Sequence, residues 1–194
     1  MGCAFCATGK QGWTRNLSAG EIVDQVRTVG LDCGQRITHA VAMGQGEPLA
    51  NYDAVLKGIR IMNADYGLGI AARRLTISTC GLVPAIRRLA GEEIQINLAV
   101  SLHSTNDQTR DELVPVNRVY PLSQLLVACR EYTERTKRRI TLEYTMIKGV
   151  NDSAEELFGL VRFARGWLCH VNLIPYNPIP DPDKQGIGSF YPSD

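Results

Sequence analysis

The chain has 194 residues, of which 44% are hydrophobic and 21% are charged, and its formal net charge is +1. This composition is typical of one globular domain with a core of its own. No run of eighteen apolar residues occurs and the first residues lack the basic and apolar regions of a secretory signal, so we expect neither a membrane span nor secretion. We therefore expect a cytoplasmic protein, and in that reducing compartment its six cysteines are thiols or metal ligands.

Segments with helical and strand-like patterns alternate along the chain. The first main helix is predicted to begin at a capping box of Ser18 and Glu21 and to close on Gly30, and the last at a second capping box of Ser153 and Glu156. Between them lie three more predicted helices: "NYDAVLKGIRIMNADYG" with Gly67 as its stop, "LVPAIRRLA" and "PLSQLLVACREYTERTK". Five strands are predicted: "ITHAVAM", "RLTIST", "IQINLAVSLHS", "RITLEYTMI" and "CHVNLIPYNP".

Strands that alternate with helices predict a parallel sheet with right-handed crossovers. Each strand finishes in polar or glycine-rich residues, and parallel α/β proteins place their sites at those ends. The polar ends are Gly44–Glu47, Ser78–Cys80, Ser101–His103, Glu143 and Asn177. Polar residues from the ends of five consecutive strands reach one ligand more readily in a full or partial barrel than in the crevice at a topological switch point of an open sheet. We expect this α/β domain to occupy residues 1–180 and an irregular or disordered tail to occupy residues 181–194.

Two cysteines, Cys3 and Cys6, form a Cys-x-x-Cys pair at the start of the chain. Metal and cluster sites need three or four ligands. A zinc knuckle would need a second pair of cysteines. A thioredoxin-like motif would follow a strand, and no predicted strand precedes this pair. The other cysteines occur singly, at Cys33, Cys80, Cys129 and Cys169, and the last two are expected in the core. From these residues alone, structural, redox and metal-binding roles stay open.

Three further side chains are functional candidates. Glu47 follows two glycines that allow a ligand to approach the backbone, and its carboxylate can receive an amine, although a tight turn explains the same pattern. His103 fits a general base or a buried turn histidine. Glu143 interrupts an apolar strand, which is costly unless the carboxylate is paired or faces a polar lumen.

Basic residues cluster at 73–74, 87–88 and 137–139. Solvated helix ends and strand starts explain them most simply, and a phosphate-contacting patch is the alternative. With a net charge near zero, we expect this segment to bind nucleic acid weakly by itself.

Six segments together resemble one family in unbroken order from residue 1 to residue 180. They are "GCAFCATGKQGWTRNLSAGEIVDQV", "MGQGEPLANYDAV", "RRLTISTCGLVPAI", "AVSLHSTNDQTRDELVPVN", "LEYTMIKGVNDS" and "HVNLIPYNP". The chain is similar to the radical S-adenosylmethionine (SAM) RNA methyltransferases of the RlmN/Cfr group. The resemblance implies an incomplete (β/α)6 radical-SAM barrel that lacks its first strand. The family motif Cys-x-x-x-Cys-x-x-Cys holds a [4Fe–4S] cluster, and Cys3 and Cys6 match its second and third cysteines. The first cysteine would fall two positions before Met1.

The same resemblance assigns SAM contacts to residues at the strand ends. Gly46 and Glu47 match the element that binds the methionine amino group. The remaining cofactor-binding matches are Ser78, Ser101, Leu102, His103 and Asn177.

The resemblance also implies an activity. Housekeeping members methylate C2 of an adenine in 23S ribosomal RNA and tRNA, and resistance members methylate C8. The segments "GEP", "LEYTM" and "LIPYNP" resemble the C2 enzymes.

The family passes the methyl group through a methylated cysteine and releases product with a second cysteine. Both cysteines and the RNA-binding domain have no match in this chain, so its catalytic residues are unknown and the chain alone is expected to be inactive. The implied partners are 23S rRNA, tRNA and a flavodoxin- or ferredoxin-type reductant, with no membrane. A zinc or redox module without radical chemistry and a passive binding remnant are the alternatives.

Overall fold

The computed structural model describes residues 1–10, 12–178 and 190–193. In these residues the strands are β1 (Ala40–Ala42), β2 (Leu75–Thr79), β3 (Asn97–Ser101), β4 (Ile140–Met146) and β5 (Cys169–Pro175). The helices are α1 (Ala7–Lys10), α2 (Ala19–Asp32), α3 (Tyr52–Asn63), α4 (Val83–Leu89), α5 (Asp107–Leu113), α6 (Leu122–Thr136) and α7 (Ala154–Ala164). Short 3-10 turns lie at Pro48–Asn51, Ala72–Arg74 and Pro115–Arg118.

The strands form one parallel sheet in the order β1-β2-β3-β4-β5, so each strand pairs with its neighbour in the chain. A sequential parallel order without reversal has no topological switch point, and right-handed crossovers then place the helices on one face. The predicted partial barrel is thereby confirmed. Its helix-free face is the lumen.

The core lies between the sheet and the helices. Alternate strand residues such as Ile77, Val100 and Leu142 are at most 1% exposed and pack with α4 and α6 in one cluster. The thiol of Cys129 belongs to it, as predicted. A second, smaller cluster covers the carboxyl ends of the strands and includes Cys80. Burial on one face leaves the intervening residues of each strand for the lumen.

Every strand is shorter than its predicted segment, and two of them lose more than half of the predicted length. The predicted strand over residues 94–104 is ordered as β3 only over Asn97–Ser101. After Ser101 the backbone amides of Leu102 and His103 both donate to the carbonyl of Glu143, and His103 adopts φ 57°, which ends the extended run. The predicted strand over residues 37–43 is likewise ordered only over Ala40–Ala42.

Two predicted helix ends are wrong. Helix α2 continues past Gly30 to Asp32, and its last carbonyls are capped by the amide of Cys33. Helix α3 ends at Asn63, four residues before Gly67. The amide of Gly67 donates to Ala64 in the turn that follows, and a Cβ at this position would lie 1.8 Å from the carbonyl oxygen of Ile61. Glycine is therefore required by a close backbone approach rather than by the helix end.

The two capping boxes differ. Ser18 and Glu21 form the full reciprocal box at the start of α2, as predicted. At the start of α7, Ser153 accepts from the amide of Glu156, but the Glu156 carboxylate bonds residues of another loop. The second capping box is therefore only half formed, because the Glu156 carboxylate accepts hydrogen bonds from that loop instead of from the backbone amide of Ser153.

The end of the chain is described at residues 190–193, where the amide of Lys148 donates to the carbonyl of Tyr191 and Pro192 bridges Ile147. The rest of the predicted tail, residues 181–189 and 194, lies outside the described residues. The boundary at residue 180 stays a prediction. In the described ranges no helix has both the length and the apolar character for a membrane crossing.

Candidate cofactor site at the carboxyl ends of the strands

The cysteine loop lies against the carboxyl ends of the strands. The amide of Ala4 donates to the carbonyl of Leu113 at 3.1 Å, which holds the loop on the end of α5. The hydroxyl of Thr8 donates to the carbonyl of Gly44 at 3.2 Å, which ties α1 to the turn after β1. Cys3 and Phe5 pack on the second cluster, so the loop is fixed at both the β1 and the β3 sides.

Cys3 and Cys6 are free, half-buried thiols on one tight turn, in which the amide of Cys6 donates to the carbonyl of Cys3. The amide of Gly9 donates to the Sγ of Cys6 at 3.4 Å. Burial raises the pKa of Cys3, and the nearby Cys6 thiol raises it further. A cation bound beside the sulfur of Cys3 would favour its thiolate form.

Glu47 joins the ends of β1 and β2. Gly44 and Gly46 have φ angles of 124° and 77°, a region that favours glycine, and the turn they make directs Glu47 back toward the sheet. Its Oε1 accepts from the amide of Leu49 at 3.0 Å and its Oε2 accepts from the amide of Cys80 at 2.7 Å. A carboxylate has about four acceptor sites, so two remain for a ligand such as an ammonium group.

Ser78 and Ser101 lie on the lumen face, where both are half-buried. Ser78 pairs in register with Ala99, and Ser101 pairs with Glu143, so the two hydroxyls are on adjacent strands one step apart. Within the described residues no hydrogen bond occupies either hydroxyl. Both are available to a ligand.

His103 is buried and neutral. Its Nδ1 accepts from the amide of Thr145 at 3.0 Å, and its backbone carbonyl accepts from Asn151 at 2.6 Å. Burial, with a smaller effect of Arg110, lowers the pKa of His103 to about 3. The ring packs edge-on against Phe5 with 4.5 Å between centroids. The histidine therefore acts as a wall that joins the cysteine loop to β3, and the buried-histidine alternative fits it better than a general base.

Leu102 and Asn177 are placed differently from the other predicted contacts. The side chain of Leu102 is fully buried in the main core, so a ligand at this position meets backbone rather than side chain. Asn177 is exposed just after β5, at the same end of the sheet as Glu47 but on the opposite edge. The structure brings the cysteine loop, Glu47 and His103 together. The cofactor contacts of all these residues remain predictions.

Residues 1–161 match the Radical SAM superfamily. The chain belongs to the radical SAM superfamily. Proteins of this superfamily use SAM and a [4Fe–4S] cluster.

Relatives and a solved structure agree with this membership. The chain is 57% identical over 182 residues to a probable dual-specificity RNA methyltransferase RlmN of Pelotomaculum thermopropionicum, covering 93% of this chain and 50% of that protein. It is 52% identical over 195 residues to the protein of the same name from Desulforudis audaxviator, covering 98% and 61%. The crystal structure of a radical SAM methyltransferase from Sphaerobacter thermophilus superposes with TM-score 0.90 at 49% identity, covering all of this chain and 56% of that one. The chain thus spans about half the length of the relatives it matches.

The described residues fit part of the cluster's ligand set. Cys3 and Cys6 offer two adjacent sulfurs, and an amide already points at one of them, as is common for cluster thiolates. No group of three His, Cys, Asp or Glu side chains that could hold a metal ion occurs in residues 1–10, 12–178 and 190–193. The residues described form no self-contained zinc knuckle, and the assignment of Cys3 and Cys6 as cluster ligands stays a prediction.

Arg110 organises this radical SAM site, although the sequence analysis assigned it no role. The side chain is fully buried and its guanidinium donates to the carbonyls of Cys80, Ser101 and Leu102, at 2.8 to 3.0 Å. A fourth bond reaches Asn117 Oδ1 at 2.8 Å. The Arg110 side chain thus joins the ends of β2 and β3 beneath the cysteine loop. An arginine among polar helix residues gives no sequence signal of burial.

Glu156 is a second residue that sequence reasoning missed. Its buried carboxylate accepts from the hydroxyl of Ser104 at 2.6 Å, from the amide and hydroxyl of Thr105 at 2.9 and 3.0 Å, and from the hydroxyl of Tyr144 at 3.2 Å. These bonds fix the loop that follows His103 against α7 and β4. The capping pattern hid this role, because it explained the glutamate as a local helix residue.

Glu143 faces the lumen, as predicted for a charged residue in an apolar strand. It lines a cavity of about 640 Å³ and its Oε2 accepts from the side-chain amide of Asn172 on β5 at 2.7 Å. The cavity is also lined by Val41, Met43, Thr76, Asn97, Ala99, Lys137, Arg138, Arg139, Thr141 and Leu168.

Proposed function

We propose that this chain is the cofactor-binding core of an RlmN-type methyltransferase that methylates C2 of adenine in 23S rRNA and tRNA through a methylated cysteine. The observation that carries the proposal is the convergence of Cys3, Cys6 and Glu47 at the carboxyl ends of consecutive parallel strands. The names of the relatives supply the substrate class, since both closely similar RlmN proteins are described as RNA methyltransferases.

The residues of this chain hold the cofactors in place. Cys3 and Cys6 would hold a [4Fe–4S] cluster, and that cluster would supply the electron for radical chemistry at SAM. Glu47 keeps two acceptor sites for the methionine ammonium group while its other bonds keep it rigid. The neutral ring of His103, locked by the Thr145 amide, excludes water beneath the loop. Ser78 and Ser101 present hydroxyls to the cofactor from the lumen face.

Several features of the whole protein belong to this proposal. Its RNA partners are ribosomal and transfer RNA, its electron donor is a flavodoxin- or ferredoxin-type protein, and its compartment is the cytoplasm. The methyl-carrying and resolving cysteines are supplied from outside this chain. The purified 194-residue chain is therefore expected to leave protein-free 23S RNA unmethylated, and methylation by it would overturn this part of the proposal.

A chimera tests the proposed activity. Residues 1–178 replace the matching segment of the Desulforudis audaxviator relative, and RNA from cells that express the chimera is digested and analysed by mass spectrometry for 2-methyladenosine and 8-methyladenosine. We expect 2-methyladenosine, and its loss in Cys3→Ala, Cys6→Ala and Glu47→Gln chimeras. Formation of 8-methyladenosine would identify a C8 enzyme, and no product from a folded chimera would favour a passive remnant.

Anaerobic reconstitution of the chimera tests the metal. Iron and sulfide should give a brown protein with a broad absorption band that is lost in the Cys3→Ala and Cys6→Ala variants. A Cys33→Ala variant is the matched control, because this exposed thiol lies at the end of α2. Colourless protein with one bound zinc would support the zinc module instead.

A further inference from the structure

The lumen cavity contains a carboxylate that the cofactor site does not use. Glu143 lies in the middle of β4, between the lumen positions Thr141 and Thr145. Its Oε2 accepts from Asn172, and no described residue donates to its Oε1. A glutamate is unfavourable in a strand, and a half-exposed carboxylate–amide pair stabilises a fold little. Fold stability therefore does not account for this residue.

The register places this carboxylate beside the cofactor contacts. Glu143 pairs with Ser101 on β3 and with Asn172 on β5, so the three side chains form one row across the lumen. Ser101 is one of the hydroxyls assigned to the cofactor. A group bound at Glu143 is consequently a neighbour of the cofactor rather than a ligand of a separate surface.

The charges around the cavity indicate the chemistry of its ligand. Among the described residues that line it, Glu143 is the one acidic side chain, whereas Lys137, Arg138 and Arg139 are cations at the opposite, amino-terminal end of β4. An excess of positive charge disfavours a metal ion or free amine. The arrangement suits a ligand that is anionic at one end and carries a neutral hydrogen-bond donor at the other. Nucleotides have this character, with phosphates and an exocyclic amine.

We propose that the lumen cavity binds the target nucleotide, with Glu143 accepting a hydrogen bond from the exocyclic amine of adenine and Asn172 orienting that carboxylate. This inference rests on the proposed function, since it takes RNA as the substrate. A volume of about 640 Å³ lies within the range of small-ligand sites and admits a base flipped out of a loop. Lys137 and Arg139 contact the flanking phosphates without reading the sequence, whereas the guanidinium of Arg138 already donates to the carbonyl of Ile96.

Base discrimination by the chimera of residues 1–178 with the Desulforudis audaxviator relative tests the site. Fluorescence anisotropy measures binding of RNA hairpins whose single loop base is adenine or purine, which lacks the amine. Saturating S-adenosylhomocysteine is present so that the cofactor position is filled. We expect the adenine hairpin to bind about tenfold more tightly than the purine hairpin. Glu143→Ala should abolish this preference, and Asn172→Ala should reduce it.

Two controls separate base reading from general effects. Glu134→Ala removes an exposed carboxylate of α6 and should keep the tenfold preference. Lys137→Ala should weaken both hairpins equally and lower the salt dependence of binding. Equal binding of the two hairpins by the otherwise unaltered chimera, or an unchanged preference in Glu143→Ala, would overturn the base site while leaving RNA as the substrate class. Failure to bind either hairpin would overturn the RNA proposal and this inference with it.

Discussion

The carboxylate of Glu47 accepts a hydrogen bond from the backbone amide of Cys80 at 2.7 Å, across 33 residues of sequence. This bond joins the glycine turn after β1 to the end of β2, and a second bond from Leu49 fixes the other oxygen. The carboxylate is thus held rigid before any ligand arrives. Preorganised acceptors of this kind lose little entropy when a cationic group binds.

Glu47→Gln tests this preorganisation. The amide nitrogen of glutamine faces one of the two backbone N–H donors, so one bond is lost and two donors oppose each other. We expect the free energy of unfolding to fall by about 1–3 kcal/mol and affinity for SAM to fall at least about tenfold. Urea denaturation and calorimetry measure the two effects. Glu134→Gln, on the exposed face of α6, should change neither, and unaltered SAM affinity in Glu47→Gln would contradict the assignment.

Arg110→Met tests the buried guanidinium. The substitution removes four hydrogen bonds and leaves the carbonyls of Cys80, Ser101 and Leu102 without that donor. We expect the free energy of unfolding to fall by about 3 kcal/mol or more, as for other broken buried charge networks. The measurement is the urea midpoint with its slope.

Arg118→Met provides the matched control for Arg110, because Arg118 is exposed on the 3-10 turn after α5. It should change stability by no more than about 0.5 kcal/mol. Equal midpoints for the two variants would show that Arg110 does not hold the strand ends together.

The sequence predicted the parallel strands and the residues of the lumen face because hydrophobic alternation and turn residues are local signals. Glu143 is the clearest case, because a carboxylate in an apolar strand is costly to bury unless it is paired or faces a polar lumen. Arg110 and Glu156 were missed because local patterns do not reveal their burial or their hydrogen-bond partners, some of which are distant in sequence. Arg110 reaches Cys80, 30 residues away, and Glu156 reaches Ser104, 52 residues away. Hydrophobic periodicity does not predict such contacts.

Glu156→Ala is expected to loosen the loop after His103. It removes the acceptor of Ser104, Thr105 and Tyr144 in a buried position, so stability should fall by about 2–3 kcal/mol. Hydrogen exchange at the Thr105 amide, which donates directly to Glu156, should lose its protection. Glu155→Ala, on the same turn of α7 but exposed, should leave that protection intact. Retained protection in Glu156→Ala would contradict the role given to this carboxylate.

The buried, neutral ring of His103 makes stability depend on pH in a definite direction. Burial lowers the pKa of His103 to about 3, from about 6.5 in an unfolded chain. Below pH 6.5 His103 binds a proton in the unfolded chain but not in the folded chain. The free energy of unfolding therefore falls as the pH falls from 6.5 toward 3. We expect the free energy of unfolding to be about 1 kcal/mol lower at pH 5.5 than at pH 7.5. His103→Asn keeps an acceptor for the Thr145 amide and tolerates the positive φ, but it does not titrate. Urea denaturation of this variant should show little change over the same range, and an equal loss in both proteins would assign the pH dependence to other groups.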